Sequence, residues 1–256
     1  MIAIISPAKK IDFRPSGKRE FSMVKYPKKA QELVGILKKM DVEDLKRLMS
    51  ISTQLALLNV KRYQDFNMPF TLDNAKQSLL SFNGAVFSTI NAEDFEHTHW
   101  ETAQKKLRIL SGLYGILRPL DLIQPYRLEM GTKLNTSVGQ NLYAYWGNLI
   151  TKALNEDIEQ EGSGILLNLA SKEYFRAIQP KLVNARIVNI HFKEFRNGQY
   201  KVVTIFAKKA RGMMVRFMIK HNLSKVEELK AFDMGGYHFD EEMSTENDLV
   251  FTSLSH

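Results

Sequence analysis

The sequence predicts a mixed α/β fold: one domain over residues 1–256, in which a β-sheet, part parallel and part antiparallel, is flanked by helices. Three observations carry this reading. The short runs "IAIIS", "AVFSTI", "LRILS" and "ILLNLA" are of strand length and apolar on both faces, as strands covered by helices on each side must be. Segments between them repeat apolar residues at helical spacing. The stretch "RIVNIHFKEFRNGQYKVVTIFA" alternates around Asn197-Gly198, the preferred type I′ hairpin turn.

The elements follow in chain order. "IAIIS" is the first strand. After Pro27, apolar Ala30, Leu33, Val34, Leu37 and Met40 mark one buried helical face. Asp41 caps a second helix, with Asp44 at N3 and Val42, Leu45, Leu48 and Met49 facing inward. A third helix follows Ser52, and a fourth is expected from Asp73 to the "FNG" stop at Gly84. "AVFSTI" and "LRILS" are expected as strands. Leu142, Tyr145, Trp146, Leu149 and Ala153 mark a helix before the strand "ILLNLA". The hairpin comes next, then a helix with Ala210, Met213, Met214 and Phe217 inside. Ser224 with Glu227 predicts a capping box for the helix after it. The loosest stretches are Arg14–Lys29 and the tail after Glu241.

Composition sets the function classes. Hydrophobic residues at 44% and aromatics at 10% supply a sizeable core and exclude disorder over most of the length. The absence of cysteine excludes disulfides, a thiolate nucleophile and cysteine-ligated metal, and fits a reducing compartment. "MIAIISPAKK" has no basic flank before its apolar run, which is far shorter than the roughly 20 residues of a spanning helix. The expected location is the cytoplasm, without a membrane partner. The net charge of +8 favours polyanions: nucleic acid, phosphorylated ligands or an anionic surface.

Candidate chemistry sits after the strands. "IAIIS" leads into Pro7-Ala8-Lys9-Lys10, "LRILS" into Gly112-Leu113-Tyr114-Gly115 and then Arg118, and "ILLNLA" into Ser171-Lys172. The second hairpin strand is expected to lead into Lys208-Lys209-Ala210-Arg211-Gly212. Ligands in open α/β sheets gather outside the carboxyl ends of strands, so these small and basic residues are expected on one rim. The punctuated stretch "LSGLYGILRPLDLIQPYRLEMG" has two readings. Gly112 and Gly115 bring backbone close to a ligand, with Tyr114 and Tyr126 as stacking faces and Arg127–Glu129 as a pair. Alternatively it is a packed loop in which that pair is a tether. Lys201–Lys220 carries Lys208, Lys209, Arg211 and Arg216 with no acid, which suggests a phosphate-facing surface or a basic face balanced from elsewhere in the fold.

Leu33–Met49 reads as two short helices around a tight turn, the shape of a helix-hairpin-helix, with Lys38, Lys39, Lys46 and Arg47 as its cations; the usual hairpin glycines are replaced by Met40, Asp41 and Val42. "EDFEHTHW" reads as a solvated helix start rather than a metal site, because His97 and His99 point to different sides of a helix. No metal site, cofactor or Ser/His/Asp pattern is expected.

"ISPAKK", "LSGLYGILRPLDLIQPYRLEMGTKL", "LNLASKEYFRAI", "KKARGMMVRFMI" and the ending "GGYHFDEEMS" together resemble the signatures of the peroxide stress protein YaaA family, over nearly the whole chain. The resemblance implies a cytoplasmic protein of the hydrogen peroxide response, tied to limiting intracellular iron and oxidative DNA damage. It also implies a family-specific single-domain fold, the cantaloupe fold, with a helix-hairpin-helix element and a basic DNA-binding cleft.

Two functions follow. The first is DNA binding, duplex or branched, without sequence specificity. Lys9, Arg118, Tyr126, Arg127, Lys172, Lys208, Lys209, Arg211 and Arg216 would line the cleft. The alternative is an enzyme acting on a nucleotide, damaged base or other phosphorylated substrate at the same rim. Glu129 would be its acid or base, and Lys9 or Lys172 a phosphate clamp or amine nucleophile. Direct iron sequestration has the least support, since the histidines are few and scattered. Strand order and oligomeric state are not specified.

Overall fold

Every residue of the first strand, β1 (Ile2–Ile5), is buried, because the strand lies inside the sheet with helices over both faces. The computed structural model describes residues 1–14, 17, 18 and 20–254. Pro15, Ser16 and Arg19 of the loose stretch expected over Arg14–Lys29 lie outside the described residues. After β2 (Lys10–Ile11) come α1 (Pro27–Leu37), α2 (Val42–Met49) and α3 (Thr53–Asp65), each starting where its sequence signal stands. Pro27 fills the first turn of α1, where its missing N–H leaves no bond unmade. Asp41 and Asp44 form a reciprocal cap on α2, each carboxylate accepting from the other's backbone N–H. Ser52 accepts from the Leu55 N–H at the start of α3.

The helix expected from Asp73 to Gly84 does not form. That stretch is β3 (Lys76–Gln77), the single turn α4 (Ser78–Ser81) and β4 (Phe82–Asn83). Its polar side chains bond to distant backbone instead. Ser78 Oγ donates to Arg118 O at 2.8 Å, and Gln77 Nε2 donates to Lys18 O and Glu20 O at 3.0 and 2.9 Å. Such bonds compete with a continuous helix. "AVFSTI" is likewise not a strand but α5 (Ala85–Ile90), packed on the long helix of residues 204–220. A short apolar run fits a buried strand and a buried helix equally, and here tertiary packing decides.

The chain continues through α6 (His97–Lys106), β5 (Leu107–Ser111), β6 (Gly115–Leu117) and β7 (Leu122–Ile123). Two helices replace the one expected next, α7 (Leu142–Trp146) and α8 (Leu149–Glu161), because Gly147 at φ +50° interrupts the spiral. Then follow β8 (Ile165–Asn168), α9 (Lys172–Phe175) and β9 (Arg186–Arg196). Asn197 and Gly198 take φ of 51° and 77°, as a type I′ turn requires. The return strand β10 (Gln199–Lys201) is short, however, and Thr204–Ala207, expected in that strand, begin α10 (Thr204–Lys220). Ser224 makes no capping box with Glu227; the Glu228 carboxylate accepts from the Ser224 and Lys225 N–H groups at 2.8 and 2.9 Å. After β11 (His238–Asp240), the tail expected to be loose beyond Glu241 supplies β12 (Asp248–Ser253), with Leu249–Phe251 buried.

Among the described residues these strands form an eight-stranded sheet in the order β11-β12-β9-β8-β1-β5-β6, with β10 on β9. β12, β9, β8, β1 and β5 run parallel to their neighbours, while β6, β10 and β11 are antiparallel additions. From β1 the chain places β5 on one side, then returns to set β8 on the other and moves outward through β9 and β12. The winding direction therefore reverses between β1 and β8, where a crevice opens outside the carboxyl ends. Buried side chains from Met1 to Phe251 form one contiguous core beneath it. No helix among the described residues is long and apolar enough to cross a membrane.

Candidate functional site

The crevice at the ends of β1 and β8 is a cleft of about 520 Å³. Ser6 to Lys10 enter it from β1, and Leu169 and Ser171 from β8. Ser6 Oγ accepts from the Ser171 N–H at 2.9 Å and donates to Ser171 Oγ at 3.2 Å, which staples the two strand ends together. Asn83 to Phe87 contribute the start of α5, Tyr126 to Glu129 the segment after β7, Glu173 and Tyr174 the turn α9, and Lys208 and Arg211 the helix α10.

The charges inside are unevenly matched. Lys9 Nζ lies 2.8 Å from one Glu129 oxygen, and Arg127 Nη2 donates to the other at 3.1 Å, so this carboxylate has a cation on each oxygen. Glu173 Oε1 accepts from the Gly131 N–H at 2.9 Å, while its Oε2 has no partner among the described residues. Arg211 has no carboxylate within ion-pairing distance among the described residues, and its Nε is buried without a hydrogen-bond partner. Burial alone pulls its guanidinium below the ordinary arginine value. The Nε of Arg127 is also buried and unpartnered. A buried, unpaired cation is costly, and an anionic ligand is what would relieve it.

Chain-distant residues therefore meet here: Lys9, Tyr126, Arg127, Glu129, Lys208 and Arg211, all singled out in the sequence, line one cleft. Four others do not. Arg118 was expected at the same rim, but β6 runs antiparallel to β5 and carries it back level with Arg108, at the opposite end of the sheet. There it bonds Asp121 at 3.4 Å and lines a separate hollow of about 230 Å³ with Lys25 and Asp157. Arg216 follows Arg211 by five residues, which turns it about 140° around the helix. It is tied to Asp94 at 2.6 and 2.8 Å and to the Ile90 carbonyl at 2.9 Å. Lys172 and Lys209 stand next to lining residues, with their side chains exposed to solvent.

The glycine-rich stretch is the packed loop rather than a ligand cradle. A Cβ on Gly112 would meet the Leu128 carbonyl oxygen at 2.2 Å, and one on Gly115 would meet the Trp146 ring at 2.8 Å. Trp146 Nε1 donates to Gly112 O at 2.9 Å. Tyr114 is fully buried, and Tyr126 is 4% exposed, held edge-on to Tyr114 and bonded to Ser111 Oγ at 2.7 Å. Tyr114 is thus spent inside the protein, and Tyr126 shows the cleft only a small part of its surface. The backbone closeness serves to bring Tyr126–Glu129 beside the end of β5, which is what delivers Arg127 and Glu129 to the cleft.

In the Leu33–Met49 pair, Lys38 Nζ donates to Phe66 O at 3.0 Å, Lys46 pairs with Glu43 at 2.8 Å and Arg47 with Asp44 at 2.6 Å. Lys39 is exposed on the turn. His99 Nδ1 accepts from the Glu96 N–H at 3.2 Å, and His97 lies 3.5 Å from Glu101, so both serve the solvated start of α6.

The sequence profile described as "Peroxide stress protein YaaA" matches residues 1–243. The chain belongs to this family. A UPF0246 protein of Colwellia psychrerythraea is 47% identical over 253 residues, covering 98% of each chain. A UPF0246 protein of Idiomarina loihiensis is 47% identical over 252 residues, again 98% of each. Within this peroxide stress protein YaaA member, sequence reasoning missed Glu173, Asn83 and Phe87 as cleft residues. Glu173 follows Lys172 in "LNLASKEYFRAI", and an acid beside a lysine reads in sequence as a neutral surface pair. Asn83 and Phe87 were hidden by the wrong assignment of their segments.

Proposed function

We propose that this chain binds DNA without sequence specificity as part of peroxide defence, holding backbone phosphates at the cleft. The observation that carries this reading is Arg211, a part-buried cation without an acid among the described residues, which lines one cleft with Lys208, Lys9 and Arg127. Phosphate supplies the missing charge, and guanidinium matches its oxygens bidentately. The exposed lysines Lys10, Lys172 and Lys209 flank the opening and extend the contact along a duplex. Arg118 and Arg216 take no part, being engaged elsewhere. Lys39, on the turn between α1 and α2, would give a further contact if that pair acts as a helix-hairpin-helix.

Fluorescence anisotropy with a labelled duplex tests the proposal. Wild-type affinity is expected to fall linearly in log[salt], since each neutralised phosphate releases counterions. The K208A/K209A/R211A variant is expected to bind all sequences more weakly with a flatter salt slope. Equal affinity of the two proteins would remove the cleft from DNA binding.

A second reading is favoured by one contact: the Lys9 amine sits 2.8 Å from Glu129, which also touches Arg127. An amine and a carboxylate so placed can exchange a proton during turnover of a nucleotide or damaged base. Lys172, facing solvent, drops out of that role. Borohydride trapping of a Lys9-linked complex with damaged duplex supports turnover, and no trapping across a panel of lesions leaves binding alone.

A further inference from the structure

The cleft carries an imbalance that a polyphosphate track does not explain. Carboxylates repel phosphate, yet Glu129 and Glu173 both line it. Glu129 is neutralised from both sides by Lys9 and Arg127. Glu173 is not: among the described residues its side chain accepts only the Gly131 N–H, on Oε1, which leaves Oε2 as an acceptor for a ligand. The same hollow therefore holds a cation without an acid, Arg211, and an acid without a cation, Glu173. A ligand complementary to both must carry an anionic group and a hydrogen-bond donor. Phe87, Leu128, Leu169 and Tyr174 add apolar lining, which favours a planar ring over a small zwitterion. The volume of about 520 Å³ is in the range of small-molecule sites and far too narrow for a duplex to enter.

We propose that the cleft accommodates a single nucleotide unit, its phosphate on Arg211 and Lys208 and an amino-bearing base donating an N–H to Glu173 Oε2. The inference deepens the DNA-binding reading and rests on it for the choice of a nucleotide, and two sources supply such a unit: a free nucleoside monophosphate or an unpaired residue of DNA. Cytosine presents an amino donor where thymine presents a carbonyl acceptor, so Glu173 discriminates between them. Glu173→Gln retains an acceptor for the Gly131 N–H and turns an NH₂ into the cleft, which reverses the demand.

The experiment is calorimetric titration of the full chain with dCMP and dTMP, and anisotropy with duplexes carrying one unpaired dC or dT or fully paired. Wild type is expected to bind the cytosine form about tenfold more tightly than the thymine form. E173Q is expected to invert that order, and R211M to lose both. Binding of free dCMP identifies a small-molecule site, whereas preference confined to the unpaired dC identifies an everted DNA residue. Equal binding of cytosine and thymine forms, unmoved by E173Q, overturns the inference. Paired duplex binding that survives such a result leaves the DNA reading intact. Binding of dCMP with no affinity for any DNA sinks the DNA reading and keeps the nucleotide site.

Discussion

Arg211 and Arg216 sit on one helix, five residues apart, in opposite circumstances. Arg216 is 18% exposed and fully employed, with Asp94 on both terminal nitrogens, the Ile90 and Asn91 carbonyls on one of them, and the Phe95 ring 5.9 Å away. Arg211 has none of this, and its Nε is buried without a partner. One arginine is a strut between α10 and the turn after α5, and the other stands at the cleft without an acid, where the proposed anion would bind. A count of positive residues in Lys201–Lys220 treats them alike. Their surroundings separate structure from function.

The largest way to disturb the comparison is at the residue between them. A Cβ on Gly212 would lie 2.1 Å from both Thr89 Oγ1 and the Val86 carbonyl oxygen, so α10 touches α5 backbone to backbone. Gly212→Ala must push the helices apart, at a cost of about 3 kcal/mol in urea unfolding. Because α5 and α10 both line the cleft, anion binding is expected to fall with stability. An unchanged midpoint would show that the contact yields freely.

Next in size is Arg216→Met. It leaves the Ile90 carbonyl without its side-chain donor and Asp94 with Lys220 at 3.8 Å and the Asn91 amide at 3.0 Å, and is expected to cost about 2 kcal/mol of stability. Duplex affinity is expected to stay within twofold of wild type, apart from the general effect of one lost charge. Arg211→Met reverses the pattern. It removes a part-buried charge that has no acid, so stability in phosphate-free buffer is expected to hold or rise. Affinity for duplex drops about tenfold, the loss of roughly 1.4 kcal/mol from one charge-assisted contact. Added inorganic phosphate is expected to raise the wild-type melting temperature and leave the variant unmoved. If both variants lose stability and keep affinity, Arg211 is a strut too.

How much of this the sequence discloses depends on which physical rule governs each segment. Caps and turns are local, so Asp41, Ser52 and the Asn197-Gly198 turn were legible residue by residue. The apolar runs at β1, β5 and β8 were legible as strands because burial on both faces leaves few alternatives. "AVFSTI" was not, since a short, mostly apolar run satisfies a helix as well as a strand, and it is tertiary packing, including the close approach at Gly212, that goes with the helix. In the site, Lys9 was reachable from the rule that ligands sit beyond strand ends, Arg127 and Glu129 from their spacing as a pair, and Lys208 and Arg211 from an acid-free basic run, although they stand on α10 and not after a strand. Arg118 failed the same rule because it assumes a parallel strand, and β6 is antiparallel. Glu173 escaped because its value lies in what it lacks, a cation, and an absent partner leaves no mark in the sequence.

The smallest expected effect distinguishes the two arginines by pH. The hydrogen bond from Arg216 is the main reason the Asp94 carboxyl sits below its ordinary value, with Lys220 and Asn91 assisting. A carboxyl depressed in the folded state contributes stability that is fully present above its unfolded value of about 3.9 and disappears as pH falls through the folded one. The stability difference between wild type and R216M is therefore expected to be flat from neutrality to about pH 5 and to shrink below about pH 4. Arg211 has no carboxylate to protonate, so the difference between wild type and R211M is expected to stay level across the same range. Urea midpoints of the three proteins at matched ionic strength read this directly. A parallel acid limb for R211M would mean that a carboxylate, rather than a bound anion, is the natural partner of Arg211.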